Sequence, residues 1–279
     1  MIERHLSCLG FAGFHRVVYS ERPGPAGGRT VVCVHGLTRN GRDFDTIGDA
    51  LSAHCRVVAP DMPGRGRSEW LADPSHYENL LYLSDCAALI ARLDVESLDW
   101  LGTSMGGLIG MMLAAQPGSP IRKLVINDIG PFVSKVGLAR IRDYVGLDPT
   151  FPSIEALEAA LRATYGTFGP LTDAEWRKLA RDTAREKPGG FGFAYDPGIA
   201  VAVKAGPLED VDLWAVWDKV RCPALVLRGA DSDLLPREAA EEMTRRGPKS
   251  RLVEFAGVGH APALVAEDQI AAVRDFLME

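Results

Sequence analysis

The residue with the clearest chemical potential is a serine between two glycines. The segment Gly102–Gly106 reads G-T-S-M-G and lies between an apolar strand pattern at 97–102 and an apolar helix pattern at 105–115. Such a strand-to-helix turn is tight and strained, and it exposes the serine hydroxyl. The amides at the start of the following helix can stabilise an oxyanion. We therefore expect Ser104 to be the nucleophile of an acyl transfer and the backbone N–H of Met105 to be one oxyanion donor.

A histidine in a glycine-rich loop near the end of the chain can serve as the base. His260 lies in the segment 255–262, FAGVGHAP, between the last strand pattern and the last helix pattern. Its place follows the chain order serine, acid, histidine. A neutral imidazole within hydrogen-bond reach of Ser104 can accept its proton and later return it to the leaving group. No comparable setting surrounds His5, His15, His54 or His76.

A histidine–glycine pair after an earlier strand indicates where a second oxyanion donor lies. His35 and Gly36 end the strand pattern TVVCV and precede the polar loop LTRNGRDF. A serine nucleophile at a strand-to-helix turn takes its second donor from the backbone of such a loop. We expect this donor to be the backbone N–H of Leu37. We expect His35 to pack within the loop rather than to act as a base.

Four ordered motifs together resemble the α/β-hydrolase superfamily. They are His35-Gly36, the D-x-P-G-x-G-x-S loop at 61–68, the segment 102–106 and Gly259-His260. The likeness covers most of the chain outside one helical segment, and it implies an α/β-hydrolase fold with a Ser-His-acid triad. It also implies that Gly64 and Gly66 are structural. Neither a dinucleotide nor a P-loop phosphate motif is complete in this sequence.

The acid of the triad is where the sequence departs from the superfamily. Most relatives carry it after the penultimate strand, in a G-x-x-D-x-x-x-P pattern. Here Gly229 and Pro236 align so that Ser232 stands at the acid position, with Asp231 and Asp233 on either side. A serine cannot carry the negative charge that orients the histidine and stabilises its imidazolium form. The acid must therefore come from a neighbouring aspartate or from another strand.

A second position for the acid follows the strand before the helical segment. Some members of the superfamily use a carboxylate there, and this chain has Asp128 within the segment 127–131, NDIGP. We favour Asp128 over Asp233 because it ends a strand next to the nucleophile strand. Asp231 is the third choice. The competing interpretation of Asp128 is a strand-end residue that caps the adjoining turn.

The elements that must position these residues alternate along the chain. Apolar, β-branched runs predict strands at 16–20, 30–36, 55–61, 97–102, 122–130, 222–229 and 250–255. Helical spacing intervenes at 43–53, 79–93, 105–115, 237–246 and 267–277. This alternation is typical of an α/β fold in which helices cover both faces of a mostly parallel sheet.

The alternation breaks once. Helical patterns at 138–146, 153–166 and 173–186 follow one another without a strand. We interpret 131–218 as a helical cap (lid) inserted into a core domain formed by 1–130 and 219–279. Its arginine and aromatic side chains are candidates for the pocket or its rim, although such residues more often form a solvated face or the cap's own core. They are Arg140, Arg142, Trp176, Phe191, Phe193 and Tyr195.

Composition favours a small-molecule acyl substrate. A net charge of -6 argues against binding to nucleic acid or to an anionic membrane, because both require clustered positive charge. No apolar run reaches the ~18 residues of a membrane span, and the N-terminus does not read as a signal peptide. We therefore expect a cytoplasmic protein, and the sequence leaves a homo-oligomer open. The five cysteines have no C-x-x-C spacing and predict buried, reduced thiols.

These features together predict a cofactor-free and metal-free serine hydrolase. No cofactor fingerprint and no metal-ligand spacing occurs in the sequence. A carboxylic ester is the expected bond, while superfamily members of similar layout also cleave amides, thioesters, lactones and C–C bonds. A serine at position 104 argues against dehalogenase chemistry, which uses an aspartate there. A non-catalytic ligand-binding receptor, and a lyase or cofactor-free oxygenase with the same residues, are the competing interpretations.

Overall fold

Twelve strands are present in a computed structural model that describes residues 1–279. In chain order they are β1 (Ile2–Gly10), β2 (Gly13–Arg22), β3 (Arg29–Val34), β4 (Cys55–Pro60), β5 (Leu98–Thr103), β6 (Ile121–Asn127), β7 (Phe132–Val133), β8 (Ala184–Lys187), β9 (Gly190–Phe193), β10 (Val211–Asp212), β11 (Ala224–Gly229) and β12 (Arg251–Phe255). Eight of them form one sheet in the order β1-β2-β4-β3-β5-β6-β11-β12. All seven predicted strands belong to this sheet.

The structure has ten α-helices. They are α1 (Asp45–Leu51), α2 (Asn79–Leu93), α3 (Met105–Ala114), α4 (Lys135–Tyr144), α5 (Ile154–Tyr165), α6 (Asp173–Thr183), α7 (Ile199–Ala205), α8 (Trp214–Trp217), α9 (Arg237–Met243) and α10 (Glu267–Met278). Short 3-10 turns occupy Gly41–Phe44, Pro74–His76 and Gly166–Phe168. None of the helices combines the length and the apolarity that crossing a bilayer requires.

The sheet is parallel from β4 to β12 and antiparallel at one edge. β3 pairs in parallel with β4 and β5, and the parallel pairing continues through β6, β11 and β12. β1 and β2 form an antiparallel hairpin that joins β4 through β2. β1 was not predicted from the sequence, because most of its side chains are exposed and its polar residues hide the strand pattern. The predicted mostly parallel α/β fold is confirmed.

Strand β3 separates two apolar layers. Val31 and Cys33 are buried in a cluster with side chains of α1 and α10. Val32 and Val34 are buried in a larger cluster with side chains of α2, α3 and α9. Successive side chains of a strand point to opposite faces, so a continuous apolar run is buried on both sides. Helices therefore cover both faces of the sheet. The five cysteines are free thiols, and four of them are buried.

The predicted cap segment joins two neighbouring strands, since β6 and β11 pair side by side. It contains α4 to α8 and two small sheets, β7 with β10 and β8 with β9. The predicted helix at 173–186 ends earlier, at Thr183, and the chain continues into the β8–β9 hairpin. Gly189 and Gly190 make this turn with φ of 87° and 143°. The segment is therefore not purely helical, and Trp217, near its end, packs in the main core.

Candidate active site

The turn between β5 and α3 holds Ser104 in a strained conformation. Its φ of 52° and ψ of −116° are rarely adopted by a residue that carries a side chain. A Cβ on Gly102 would lie 2.2 Å from the carbonyl oxygen of Gly106. A Cβ on Gly106 would lie 1.9 Å from the carbonyl oxygen of Val34. Because neither position has room for a methyl group, glycine is required for the turn that presents the serine hydroxyl.

A continuous chain of hydrogen bonds joins Ser104 to His260 and Asp128. The Nε2 atom of His260 lies 3.0 Å from the Oγ atom of Ser104. The Nδ1 atom of His260 lies 2.7 Å from the Oδ2 atom of Asp128. Since a carboxylate accepts hydrogen bonds, Nδ1 carries the hydrogen and Nε2 is left as the acceptor for the serine hydroxyl. These are the distances and the tautomer that a serine nucleophile and its base require.

The carboxylate of Asp128 is fully buried and has several donors. Its Oδ1 atom accepts the backbone N–H of Gly229 at 2.8 Å. Its Oδ2 atom accepts the hydroxyl of Ser232 at 2.6 Å, in addition to the imidazole of His260. Asp128 has a φ of 58°, so the chain turns sharply where β6 ends and directs this carboxylate toward the histidine loop. Ser232 is a further residue in contact with this carboxylate, at the position where the superfamily pattern predicts the acid.

The two other candidate acids lie apart from this chain of hydrogen bonds. Asp233 forms an ion pair with Arg140 of α4, with N–O distances of 2.5 and 2.9 Å. Burial raises the pKa of Asp233, but the hydrogen bonds and charge of Arg140 outweigh it and hold the pKa below its usual value. Asp231 is exposed, and its backbone N–H donates to the carbonyl oxygen of Val258. Neither carboxylate has a hydrogen bond to His260 in the structure.

The two predicted oxyanion donors flank Ser104. Met105 is the first residue of α3, where the backbone N–H groups have no carbonyl of the preceding turn to bond. The backbone N–H of Leu37 has no protein acceptor. Leu37 follows Gly36, and a Cβ on Gly36 would lie 3.6 Å from the Cβ of Ser104. Backbone N–H groups without a protein acceptor are the kind of donor that can bind an oxyanion.

His35 packs within its loop, as the sequence predicted. Its ring is completely buried, and burial lowers the pKa of His35 to about 4. Its Nε2 atom accepts the backbone N–H of Met62 at 2.9 Å, so its Nδ1 atom donates to the carbonyl oxygen of Gly36 at 2.7 Å. Both ring nitrogens are therefore occupied by backbone groups. His35 fixes the start of the loop that carries Leu37.

Asn127 connects three parts of the site, and its local sequence does not indicate this role. Its side-chain amide donates to the Thr103 hydroxyl at 3.1 Å and to the carbonyl oxygen of Pro262 at 2.9 Å. The backbone carbonyl oxygen of Asn127 accepts the backbone N–H of Ser104 at 2.9 Å. One residue at the end of β6 thus connects the serine turn, the histidine loop and the strand that leads to Asp128.

An aromatic cavity of about 270 Å³ lies in the cap. Its aromatic lining consists of Tyr144, Phe151, Tyr165, Phe193 and Tyr195. The hydroxyl of Tyr165 lies 2.8 Å from the hydroxyl of Thr38, the residue after Leu37. This contact joins one wall of the cavity to the oxyanion loop. Concave apolar sites with a few polar groups are the usual binding sites for small molecules.

The predicted cap residues have different environments. Phe193 and Tyr195 line the aromatic cavity, whereas Trp176 is buried in the cap's own small core and Phe191 packs against that core. Arg140 pairs with Asp233. Arg142 donates to backbone carbonyls of the cap, including that of Val203. Only the first two therefore contact the cavity, and the others stabilise the cap or its junction with the sheet.

The fold assembles one group of metal-ligand residue types that their sequence spacing did not predict. Cys8, His15 and Asp85 are buried, with candidate ligand atoms within 4.8 Å of one another. The Nε2 atom of His15 already lies 2.8 Å from the Oδ2 atom of Asp85, as in a hydrogen-bonded pair. Burial, together with the charge of Asp85, raises the pKa of the Cys8 thiol to about 12. The group lies between the β1–β2 hairpin and α2, and none of its members is bonded to the Ser104 site.

Comparison with known proteins identifies the family of this fold. The model of the Alpha/beta hydrolase family matches residues 31–273. The chain belongs to this family. The matched range begins in β3 and ends in α10, so it includes Ser104, Asp128 and His260. The fold of this hydrolase, with its eight-stranded sheet, is the fold of the family.

Three similar proteins align with nearly the whole length of this hydrolase. It is 46% identical to the 3-hydroxybutyrate-oligomer hydrolase of Cupriavidus necator, over 97% of this chain and 96% of that protein. The structure of an alpha/beta hydrolase from Novosphingobium aromaticivorans is 37% identical with a TM-score of 0.90, and covers 99% of this chain and 98% of that chain. A structure of a protein from Rickettsia typhi is 31% identical with a TM-score of 0.92, and the match covers 100% of this chain and 99% of that chain.

Proposed function

We propose that this hydrolase cleaves carboxylic esters with Ser104 as nucleophile, His260 as general base and Asp128 as the triad acid. The observation that carries the proposal is the hydrogen-bonded series from the Oγ atom of Ser104 through both nitrogens of His260 to the Oδ2 atom of Asp128, at 3.0 and 2.7 Å. The strained turn at Ser104 and the buried carboxylate of Asp128 add to its support.

Acylation begins at the serine hydroxyl. The Nε2 atom of His260 takes the proton of Ser104 while the Oγ atom attacks the ester carbonyl carbon. The carbonyl oxygen becomes an oxyanion, which accepts hydrogen bonds from the N–H groups of Leu37 and Met105. As the tetrahedral intermediate collapses, the protonated His260 gives its proton to the leaving alcohol. The charge of Asp128 stabilises the imidazolium form during this step.

Deacylation repeats these steps with water as the nucleophile. His260 takes a proton from water, and the resulting hydroxide attacks the carbonyl carbon of the acyl-serine. The same two N–H groups stabilise the second oxyanion. Collapse breaks the bond to the Oγ atom of Ser104, which recovers its proton from His260. The sum is one ester and one water converted to one acid and one alcohol.

We further propose that the substrates are short oligomers of 3-hydroxybutyrate. The support is the 46% identity to the Cupriavidus necator protein, whose name states this substrate. The aromatic cavity beside Thr38 is also consistent with a short, methyl-bearing acyl unit, because its lining is largely apolar. Neighbouring ester bonds in such an oligomer have the same chemistry, so one site can cleave them in turn.

Product analysis tests both levels of the proposal. The trimer of (R)-3-hydroxybutyrate and p-nitrophenyl butyrate are incubated separately with the wild type and with Ser104→Ala, and products are measured by liquid chromatography and absorbance. Release of monomer and dimer by the wild type alone supports the full proposal. Cleavage of p-nitrophenyl butyrate without cleavage of the trimer would contradict the substrate while keeping ester hydrolysis. If the wild type cleaves neither ester, the proposed function is contradicted.

A further inference from the structure

The hydroxyl of Ser232 has a single possible direction in the structure. Its Oγ atom accepts the backbone N–H of Leu235 at 3.2 Å and that of Leu234 at 3.3 Å. A serine hydroxyl has two acceptor lone pairs and one hydrogen. With both lone pairs occupied by backbone donors, the hydrogen points to the remaining neighbour, the Oδ2 atom of Asp128 at 2.6 Å. Ser232 is therefore a fixed donor to this carboxylate.

The same carboxylate oxygen receives the imidazole of the proposed base. Asp128 Oδ2 accepts from His260 Nδ1 at 2.7 Å and from Ser232 at 2.6 Å. The backbone N–H of Gly229 holds the other oxygen, Oδ1. Asp128 is completely buried and Ser232 is nearly so, at 9% exposure, so bulk water has little access to replace a lost donor. The hydroxyl therefore affects both the position of Oδ2 and the negative charge that it presents to His260.

We propose that Ser232 is a positioning residue of the active site, which acts through Asp128 on His260. This inference rests on the proposed function, because it assigns a role within the same triad. The Ser232 hydroxyl holds Oδ2 in line with the Nδ1–H group of His260 and withdraws part of its charge. Ser232, in the loop after β11, thus supports Asp128, which directly follows β6.

Removal of the hydroxyl has two consequences for catalysis. Asp128 loses one of three donors, so its Oδ2 atom is held less precisely and kcat falls about tenfold in Ser232→Ala. The uncompensated charge on Oδ2 attracts the protonated imidazole more strongly, so the neutral, active form of His260 is reached only at higher pH. The acid limb of the kcat/KM profile therefore moves to higher pH. KM stays near its wild-type value, because Ser232 does not line the aromatic cavity.

A matched pair of variants separates the hydroxyl from the volume of the side chain. Ser232→Thr keeps the hydroxyl, and Ser232→Val introduces a side chain of nearly the same volume as threonine but without the hydroxyl. We expect Thr to restore most of kcat and the wild-type pH profile, and Val to behave like Ala. Asp233 and its partner Arg140 also lie near His260 and stay in place in all these variants, so their charges contribute equally.

A second buried serine provides the control outside the site. Ser250 is 4% exposed, lies directly before β12, and its hydroxyl has no hydrogen-bond partner. Ser250→Ala removes the same atom from a comparable depth and is expected to leave kcat and the pH profile unchanged.

The experiment measures kcat, KM and the pH profile with p-nitrophenyl butyrate, and melting temperature by circular dichroism, for all these variants. Hydrolysis by the wild type and its loss in Ser104→Ala establish the proposed function independently of Ser232. If Ser232→Ala and Ser232→Val keep the kcat and the pH profile of the wild type, only the role of Ser232 is overturned. Equal losses in the Thr and Val variants would overturn it as well, as would loss of the fold confined to the variants without a hydroxyl.

Discussion

The carboxylate of Asp233 is bound by the guanidinium of Arg140, at N–O distances of 2.5 and 2.9 Å. Asp233 belongs to the loop after β11 and Arg140 to α4, so the pair joins the cap segment to the sheet at the side of His260. An aspartate held by an arginine in this way is not free to orient the histidine. Neither the paired Asp233 nor Ser232, which donates to Asp128, therefore supplies His260 with an acid from the loop after β11.

The first prediction ranks the two candidate acids. Asp128→Asn should lower kcat by about three orders of magnitude, because the amide favours the wrong tautomer of His260 and carries no charge to stabilise its imidazolium form. Asp233→Asn, the matched control, keeps the chain from Ser104 to Asp128 intact and should lower kcat by less than about tenfold. Steady-state kinetics on p-nitrophenyl butyrate measure both. The reverse ranking would move the acid to the loop after β11.

A second prediction concerns the turn at Ser104. Gly106→Ala places a Cβ 1.9 Å from the carbonyl oxygen of Val34, so either β3 or α3 must shift. We expect the free energy of unfolding to fall by about 3 kcal/mol or more, with loss of activity. Gly166→Ala is the control, since an added Cβ there meets nothing within 4 Å. Urea unfolding compares the two, and equal stability of both variants would contradict the packing described for this turn.

A third prediction concerns the stability of the fold at acid pH. Burial lowers the pKa of His35 to about 4, from 6.5 for an unperturbed histidine. The unfolded chain therefore binds a proton at this residue more readily than the folded protein does. Its contribution to stability is complete above pH 6.5 and is lost as the pH falls toward 4, on the order of 3 kcal/mol in total.

The measurement is the free energy of unfolding from urea titrations between pH 7 and pH 4.5, for the wild type and for His35→Gln. Glutamine keeps a hydrogen-bonding side chain but does not titrate in this range. The variant should start from a lower stability and lose less of it on acidification. An identical loss in the two proteins would mean that other groups account for the acid sensitivity.

The sequence was sufficient for the residues whose local pattern is distinctive. Ser104 lies in a turn that only glycine at 102 and 106 permits, and this requirement can be read from the local sequence. The parallel strands could be predicted because their buried runs are continuous and β-branched. The sequence favours Asp128 over Asp233 because it places Asp128 at the end of a strand next to the nucleophile strand, and β5 and β6 are indeed paired.

The contacts that could not be predicted join residues far apart in the chain. Ser232 and Asp128 are separated by 104 positions, and nothing in either local pattern specifies the hydroxyl direction. The pairing of His15 with Asp85 spans 70 positions. The β8–β9 hairpin follows α6 directly, with no glycine or proline between them, so helical spacing predicts a helix that continues past Thr183. Tertiary packing decides such features, and local propensity does not contain it.

The central claim is that Ser104 is an activated nucleophile, and covalent labelling tests it most directly. Wild type and Ser104→Ala are treated with a fluorophosphonate probe and measured by intact-protein mass spectrometry, with circular dichroism to establish that both are folded. One adduct on the wild type, mapped to Ser104 by peptide analysis and lacking in the variant, is the predicted result. A folded wild type without an adduct, or a variant labelled to the same extent, would contradict the assignment.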